Sequence, residues 1–276
     1  MRLRAMPAGI RKRLRVDWLT SLPAGVLVVG WIAFMVLVGF GARVGVRAVV
    51  PGEDHEHVLG IASPLMPALG ATFGVLIALT LAGEAGYLKA AQDTVAGEAA
   101  AAARLAWAAT SPGVEAEPIH LALVEYLQAT RMSEWRGGPA ADGDPGVAEM
   151  IAALERAVRT ESARTELGTP ASTELLGSLD AVTSSRRQRI ADASRHIPLL
   201  YVVTLVLSGV VLIANAGALG LRSGVRTSLL VAGLAVVVGL CMALLFSLSA
   251  PWRGTLVVSG RPIDAVIADL RAGFFE

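Results

Sequence analysis

The stretch VLGIASPLMPALGATFGVLIALTLA, residues 58–82, carries no charged side chain, and the stretch that follows it, GEAGYLKAAQDTVAGEAAAAARLAWAAT at 83–110, contains no proline. A hydrocarbon core about 30 Å thick is crossed by roughly 20 apolar residues, so 58–82 reads as a membrane-spanning helix. The alanine-rich continuation predicts that this helix leaves the membrane unbroken and stops at Ser111-Pro112-Gly113. A span that is also a stalk obliges the rest of the chain to pack around it.

Three further charge-free windows, 18–40, 197–221 and 227–250, have the same length and character. A charged side chain at the centre of a span costs about 2.5 to 3.5 kcal/mol, so four such windows point to a polytopic, all-α membrane protein. Of 276 residues, 54% are hydrophobic and 17% charged, against about 25% charged in ordinary soluble domains. The net charge of +1 conceals segregation: residues 1–17 carry six basic groups and one acid, and 83–196 carries eleven basic and sixteen acidic. The expected organisation is a basic N-terminus at 1–17, a hairpin of spans at 18–82, a helical domain at 83–196, a second hairpin at 197–250 and a tail at 251–276. The apolar run after the basic N-terminus is too long for a signal peptide, so a retained first span is expected. Arg2, Arg4, Arg11, Lys12, Arg13 and Arg15 should hold that end in the cytoplasm. With an even number of spans, both termini and the helical domain are then cytoplasmic, in a cell inner membrane. The loops that cross, 41–57 and 222–226, carry only two arginines each.

Within the helical domain, punctuation predicts a second helix over 117–136, ended by Gly137-Gly138-Pro139. A third starts at Asp144 with Pro145 after it and runs to Leu167, and a fourth starts at Thr169-Pro170 and runs to His196. No alternating β pattern longer than the LVV around Leu256 occurs.

The order of parts resembles the bestrophins, and specifically their bacterial bestrophin-like relatives. The residues that carry the resemblance are Phe73-Gly74-Val75-Leu76 with Tyr87, then Glu98, Glu125-Tyr126 and Glu134-Trp135. Arg186-Arg187-Gln188-Arg189 before Pro198 follow, and Pro251-Trp252-Arg253-Gly254 with Val258 and Pro262 complete the set, which spans 73–270. The resemblance implies a homo-oligomeric channel, a pentamer, that passes anions along a central axis lined by the second span.

The second span offers a physical version of that expectation. Phe73, Ile77, Thr80, Glu84 and Tyr87 follow steps of four, three, four and three and so share one helical face. Around an axis, Phe73 and Ile77 would form an apolar ring able to gate by dewetting, with Thr80 and Glu84 at its cytoplasmic end. A ring of Glu84 favours cations, against the anion preference implied by the resemblance, and the matched region holds fewer aromatic residues than bestrophin necks. Apolar residues at this spacing are also what a packing or lipid-facing surface looks like. Ser63-Pro64 and Pro67 predict irregular backbone near the outer end, tolerated where a helix is buried in protein or lines water.

Arg186, Arg187, Arg189 and Arg195 form a basic cluster just before the third span. Anchoring to anionic headgroups is the main expectation. A basic vestibule, or pairing with acids such as Glu98 and Glu125, stands beside it, and Glu98 reads as an interhelical partner for an arginine. Trp18, Trp252 and Tyr201 fall near membrane boundaries. Gly209, Gly217, Gly233 and Gly239 with Ser208 suit close helix approach, and Asn215 suits a bond across helices.

No catalytic group, metal site or cofactor is expected. Glu53-Asp54-His55-Glu56-His57 lacks the i, i+4 histidine spacing of a helical metal site, and Asp142-Gly143-Asp144 reads as a turn and cap rather than a calcium loop. The spans hold no Asp, Glu, Lys, Arg or His, and Cys241 is their one thiol, which argues against proton-coupled transport. The expected partners are membrane lipids, small inorganic ions and further copies of the chain, with no nucleic acid. The alternative is a non-conducting scaffold or signalling protein whose helical domain binds a partner.

Overall fold

The computed structural model describes residues 23–51, 55–135, 143–195, 198–220, 225–249, 252 and 257–275. The basic segment 1–17, Trp18, Glu53, Asp54, Asp142 and the loop residues 222–224 lie outside them. The described elements are α1 (Ala24–Val49), α2 (His55–Ala109), α3 (Ala116–Ala129), a π-turn (Thr130–Glu134), α4 (Pro145–Ser162), α5 (Thr169–Ala193), α6 (Leu199–Leu219), α7 (Val225–Leu248) and α8 (Arg261–Arg271). Helices α1, α6, α7 and the first part of α2 are long and apolar enough to cross a membrane.

The continuity read from residues 58–110 is present as a single helix of 55 residues, about 80 Å long at 1.5 Å per residue. Pro64 and Pro67 lie inside it; each lacks the N–H that would reach back four residues. Close by, Asn215 on α6 donates to the Ala62 carbonyl at 2.9 Å, the cross-helix bond expected of that amide. Helix α1 continues past residue 40 to Val49, because charge ends a hydropathy window without ending a helix. Arg47 sits in its last turn, where a cation suits the helix dipole, and Arg43 donates to Ser228 Oγ on α7 at 2.7 Å.

In the membrane half, α1 packs on α6 and α7, and α2 packs on α6. Their core joins Met35, Phe73, Ile77, Leu205, Leu212, Ile213, Val238 and Met242. Glycine sets the spacing: a Cβ on Gly239 would lie 2.8 Å from the Cα of Ile32, and one on Gly217 would strike the carbonyl oxygen of Gly39. A Cβ on Gly209 would come 3.3 Å from Phe73, Val238 and Met242, whereas Gly233 has open space around it.

Beyond the spans, α2 packs on α5, α8 and α3, while α3 packs on α4 and α4 on α5. Alanines 91, 99, 102, 106 and 109 of α2 face Leu123, Tyr126, Leu127, Leu154, Leu175 and Val182 in one continuous core. Asp144 caps α4 as expected, its Oδ1 accepting from the N–H of Gly146 at 2.8 Å and of Val147 at 3.2 Å. The cap of α5 differs from expectation: Gly168 holds that position with no side-chain bond, and Thr169 is already helical. The tail is part of the same body, since Trp252, Val258, Ile263, Val266, Ile267 and Phe275 are buried in this core. Trp252 packs edge-on against Trp135, ring centroids 5.5 Å apart.

Candidate functional site

The five residues expected to line an axis do share a face of α2, but that face is turned into the protomer. Phe73, Ile77 and Tyr87 are only 5%, 6% and 6% exposed in a single chain. Phe73 and Ile77 sit in the membrane core beside Leu205 and Met242. Thr80 spends its hydroxyl on its own helix, donating to the Leu76 carbonyl at 2.7 Å. Glu84 is half-buried within electrostatic reach of Arg195. Tyr87 donates to the Asp192 carbonyl at the end of α5, and Arg195 lies over its ring, 4.7 Å from the centroid. Within the protomer Phe73, Ile77 and Tyr87 are covered, whereas Thr80 and Glu84 stay partly exposed. The opposite face is the open one: Ala71, Val75, Ala78, Ala82, Ala85, Lys89 and Asp93 are all exposed. They recur at the same helical spacing and run from the membrane half into the bundle.

The basic cluster divides in two. Arg187 and Arg195 are exposed, while Arg186 and Arg189 turn inward. Arg189 is fully buried, its Nε 2.5 Å from Glu98 Oε2 and its Nη1 2.6 Å from Glu134 Oε2. Arg186 Nη2 donates to Glu134 Oε1 at 3.0 Å, and Tyr126 donates its hydroxyl to Glu98. The Trp135 ring lies 5.6 Å from the Arg189 guanidinium and 5.0 Å from that of Arg131. Glu98 is thus the arginine partner expected of it. Arg189 is too buried to meet a headgroup, and Arg186, with 11% of its side chain exposed, is engaged by Glu134.

Glu134, beside Trp135 in the family pattern, is the member whose pairing with arginine the sequence did not reveal. It ends the π-turn, where an extra residue per turn shifts the side-chain register, and it also accepts from the Asp144 N–H at 3.1 Å. Gly143, with φ of 78°, makes room: a Cβ there would lie 3.0 Å from Arg186 Nη2 and 3.3 Å from Glu134 Oε1. Two cations and two carboxylates balance, and each buried charge has an opposite partner, the condition under which such a group is tolerated. Burial opposes the charge on Arg189, yet Glu98 and Glu134 outweigh it and raise its pKa. Burial, then the charge of Glu98, pushes the Tyr126 phenol well above its ordinary range. The network ties α2 and α5 to the π-turn. Trp135 extends it to the tail by donating to the Val258 carbonyl at 3.0 Å, and Arg131 by pairing with Asp264 at 2.6 Å.

Among the described residues no three His, Cys, Asp or Glu side chains converge as a metal site would require. What this site can do is mechanical and electrostatic: a long helix with one face bound to its own chain, one face open, and an ionic clasp holding its extramembrane half.

Solved structures share this fold. A bacterial bestrophin homolog from Klebsiella pneumoniae, crystallised as a single-substitution variant, superposes with a TM-score of 0.68 at 11% identity, covering 89% of this chain and 98% of that one. A crystal structure described as a membrane protein, also a point variant, gives 0.65 at 11% identity over 89% and 97% of the two chains. At that identity the likeness speaks for the fold. No curated protein matches the sequence. The Bestrophin-like domain model matches residues 33–263, from the first span through the start of α8, and the chain belongs to the bestrophin-like family.

Proposed function

We propose that the protein is a homo-oligomeric ion channel of the inner membrane, with both termini and the helical bundle in the cytoplasm, in which the open face of α2 lines the conduit. The observation that carries this reading is the continuous uncovered face of α2 opposite its packed one. Ala71, Val75, Ala78 and Ala82 stand exposed within a span, on a helix whose other side is fully engaged. Gathered around a symmetry axis, these residues form an apolar constriction with no polar side chain, the kind that gates by dewetting. Lys89 and Asp93 follow on the same face and would place both signs of charge beyond it. Membership of the family favours five subunits and anion passage. The lining proposed from residue pattern alone moves from Phe73 and Ile77, which pack the protomer, to the face behind them.

Purified protein in a planar bilayer with asymmetric KCl tests this reading. It predicts a current whose reversal potential reports ion preference. In a Cys241→Ser background, Ala78→Cys treated with a methanethiosulfonate reagent should lose at least about half of that current, and Phe73→Cys should not respond. A membrane that stays silent across ions and voltages would leave the scaffold reading in its place.

A further inference from the structure

Where α2 and α6 approach the bundle they part around an open groove of about 220 Å³, lined by Leu76, Thr80, Leu200, Tyr201, Thr204 and Leu205. Leu200 and Tyr201 are 74% and 62% exposed, so the groove opens to the outside of the protomer. The Thr80 hydroxyl is already used within α2, and the lining suits an alkyl chain more than a polar ligand.

Beyond the lining, toward Tyr87, lie charges of both signs. Glu84 stands one turn beyond Thr80, half-buried, and feels the field of Arg195. Arg195 is exposed and rests on the Tyr87 ring; among the described residues no carboxylate forms an ion pair with it. Asp192, on the last turn of α5, is occupied by Thr94 Oγ1 at 2.8 Å and Gln188 Nε2 at 3.0 Å. Arg195 and Glu84 feel each other yet form no ion pair among the described residues, and with both just beyond an apolar groove they match a zwitterionic headgroup. A phosphate satisfies the guanidinium through charge-assisted bonds, and a primary ammonium satisfies the carboxylate. An anionic headgroup would engage Arg195 and meet repulsion from Glu84, and a quaternary ammonium has no N–H to donate.

We propose that this groove binds one acyl chain of a phosphatidylethanolamine-type lipid, its phosphate on Arg195 and its primary ammonium on Glu84. The inference rests on α2 and α6 lying in the membrane and not on conduction, so failure of the channel reading leaves it standing, and the reverse.

The test is native mass spectrometry of the full chain after delipidation, titrated separately with palmitoyl-oleoyl phosphatidylethanolamine, phosphatidylcholine and phosphatidylglycerol. Phosphatidylethanolamine should be retained about fivefold better than either of the others. Arg195→Ala should weaken its retention about tenfold, the scale of a lost charge-assisted contact. Glu84→Gln should abolish the preference over phosphatidylglycerol while the thermal midpoint stays unchanged, and Thr204→Trp should block the groove to all three lipids. Equal retention of the three headgroups, or a preference that survives both charge variants, overturns the proposal. So does absence of lipid together with disulfide cross-linking of copies through Tyr201→Cys, which would make the groove a seam between subunits.

Discussion

The two halves of α2 are held by different physics. In the membrane half its partners are apolar, the core cluster contains no charged residue, and glycines let backbones meet. In the bundle the same helix presents alanines to an apolar core and buries Glu98 against Arg189. The contrast follows from the solvent. Among spans, lipid competes equally for apolar side chains, so close packing and occasional interhelical bonds must decide association. In water, apolar burial drives assembly without setting register, and a buried ionic network can supply that register at a desolvation cost.

The largest effect should come from the bundle. Arg189→Ala leaves Glu98 and Glu134 buried without their shared cation, a change that typically costs about 3 to 5 kcal/mol. Limited proteolysis and thermal unfolding in detergent should show the bundle opening while the spans stay helical. A triple variant, Arg189→Met with Glu98→Leu and Glu134→Leu, should recover much of that loss if the network serves register more than stability.

Next in size is the membrane half. Gly239→Leu places side-chain atoms where the Ile32 backbone lies, with the Cβ alone at 2.8 Å from its Cα. Overpacking of this kind costs about 1 to 3 kcal/mol, and it should lower the thermal midpoint without exposing the bundle to protease. Gly233→Leu, at a position with open space, should do little. The smallest effect is expected from Asn215→Leu, which removes one bond to the Ala62 carbonyl; interhelical bonds in membranes average about 0.6 kcal/mol. A loss of several kcal/mol there would blur the contrast between the halves.

The sequence exposed what depends on composition along the chain. Four charge-free windows marked the spans, and the absence of proline over 83–110 marked α2 as unbroken. It could not separate the two faces of α2, because a face packed on α6 and a face around a shared axis both read as apolar residues at helical spacing; only the position of α6 decides. Glu98 was legible because it stands alone among alanines. Glu134 was not, since its inward aim depends on the π-turn, which leaves no residue signature. The tail helix carries its own signal: Pro262 at its start and the Ile263, Val266, Ile267 spacing are those of a short amphipathic helix with one buried face.

In the proposed channel the open face of α2 meets its own copies while Phe73 and Ile77 stay inside each protomer. Single-particle electron microscopy of the full chain in lipid nanodiscs addresses it most directly. A closed ring with Ala71, Val75, Ala78 and Ala82 nearest the symmetry axis is expected. A monomeric particle, or a ring in which α1 or α7 faces the axis and α2 lies outside, would contradict it.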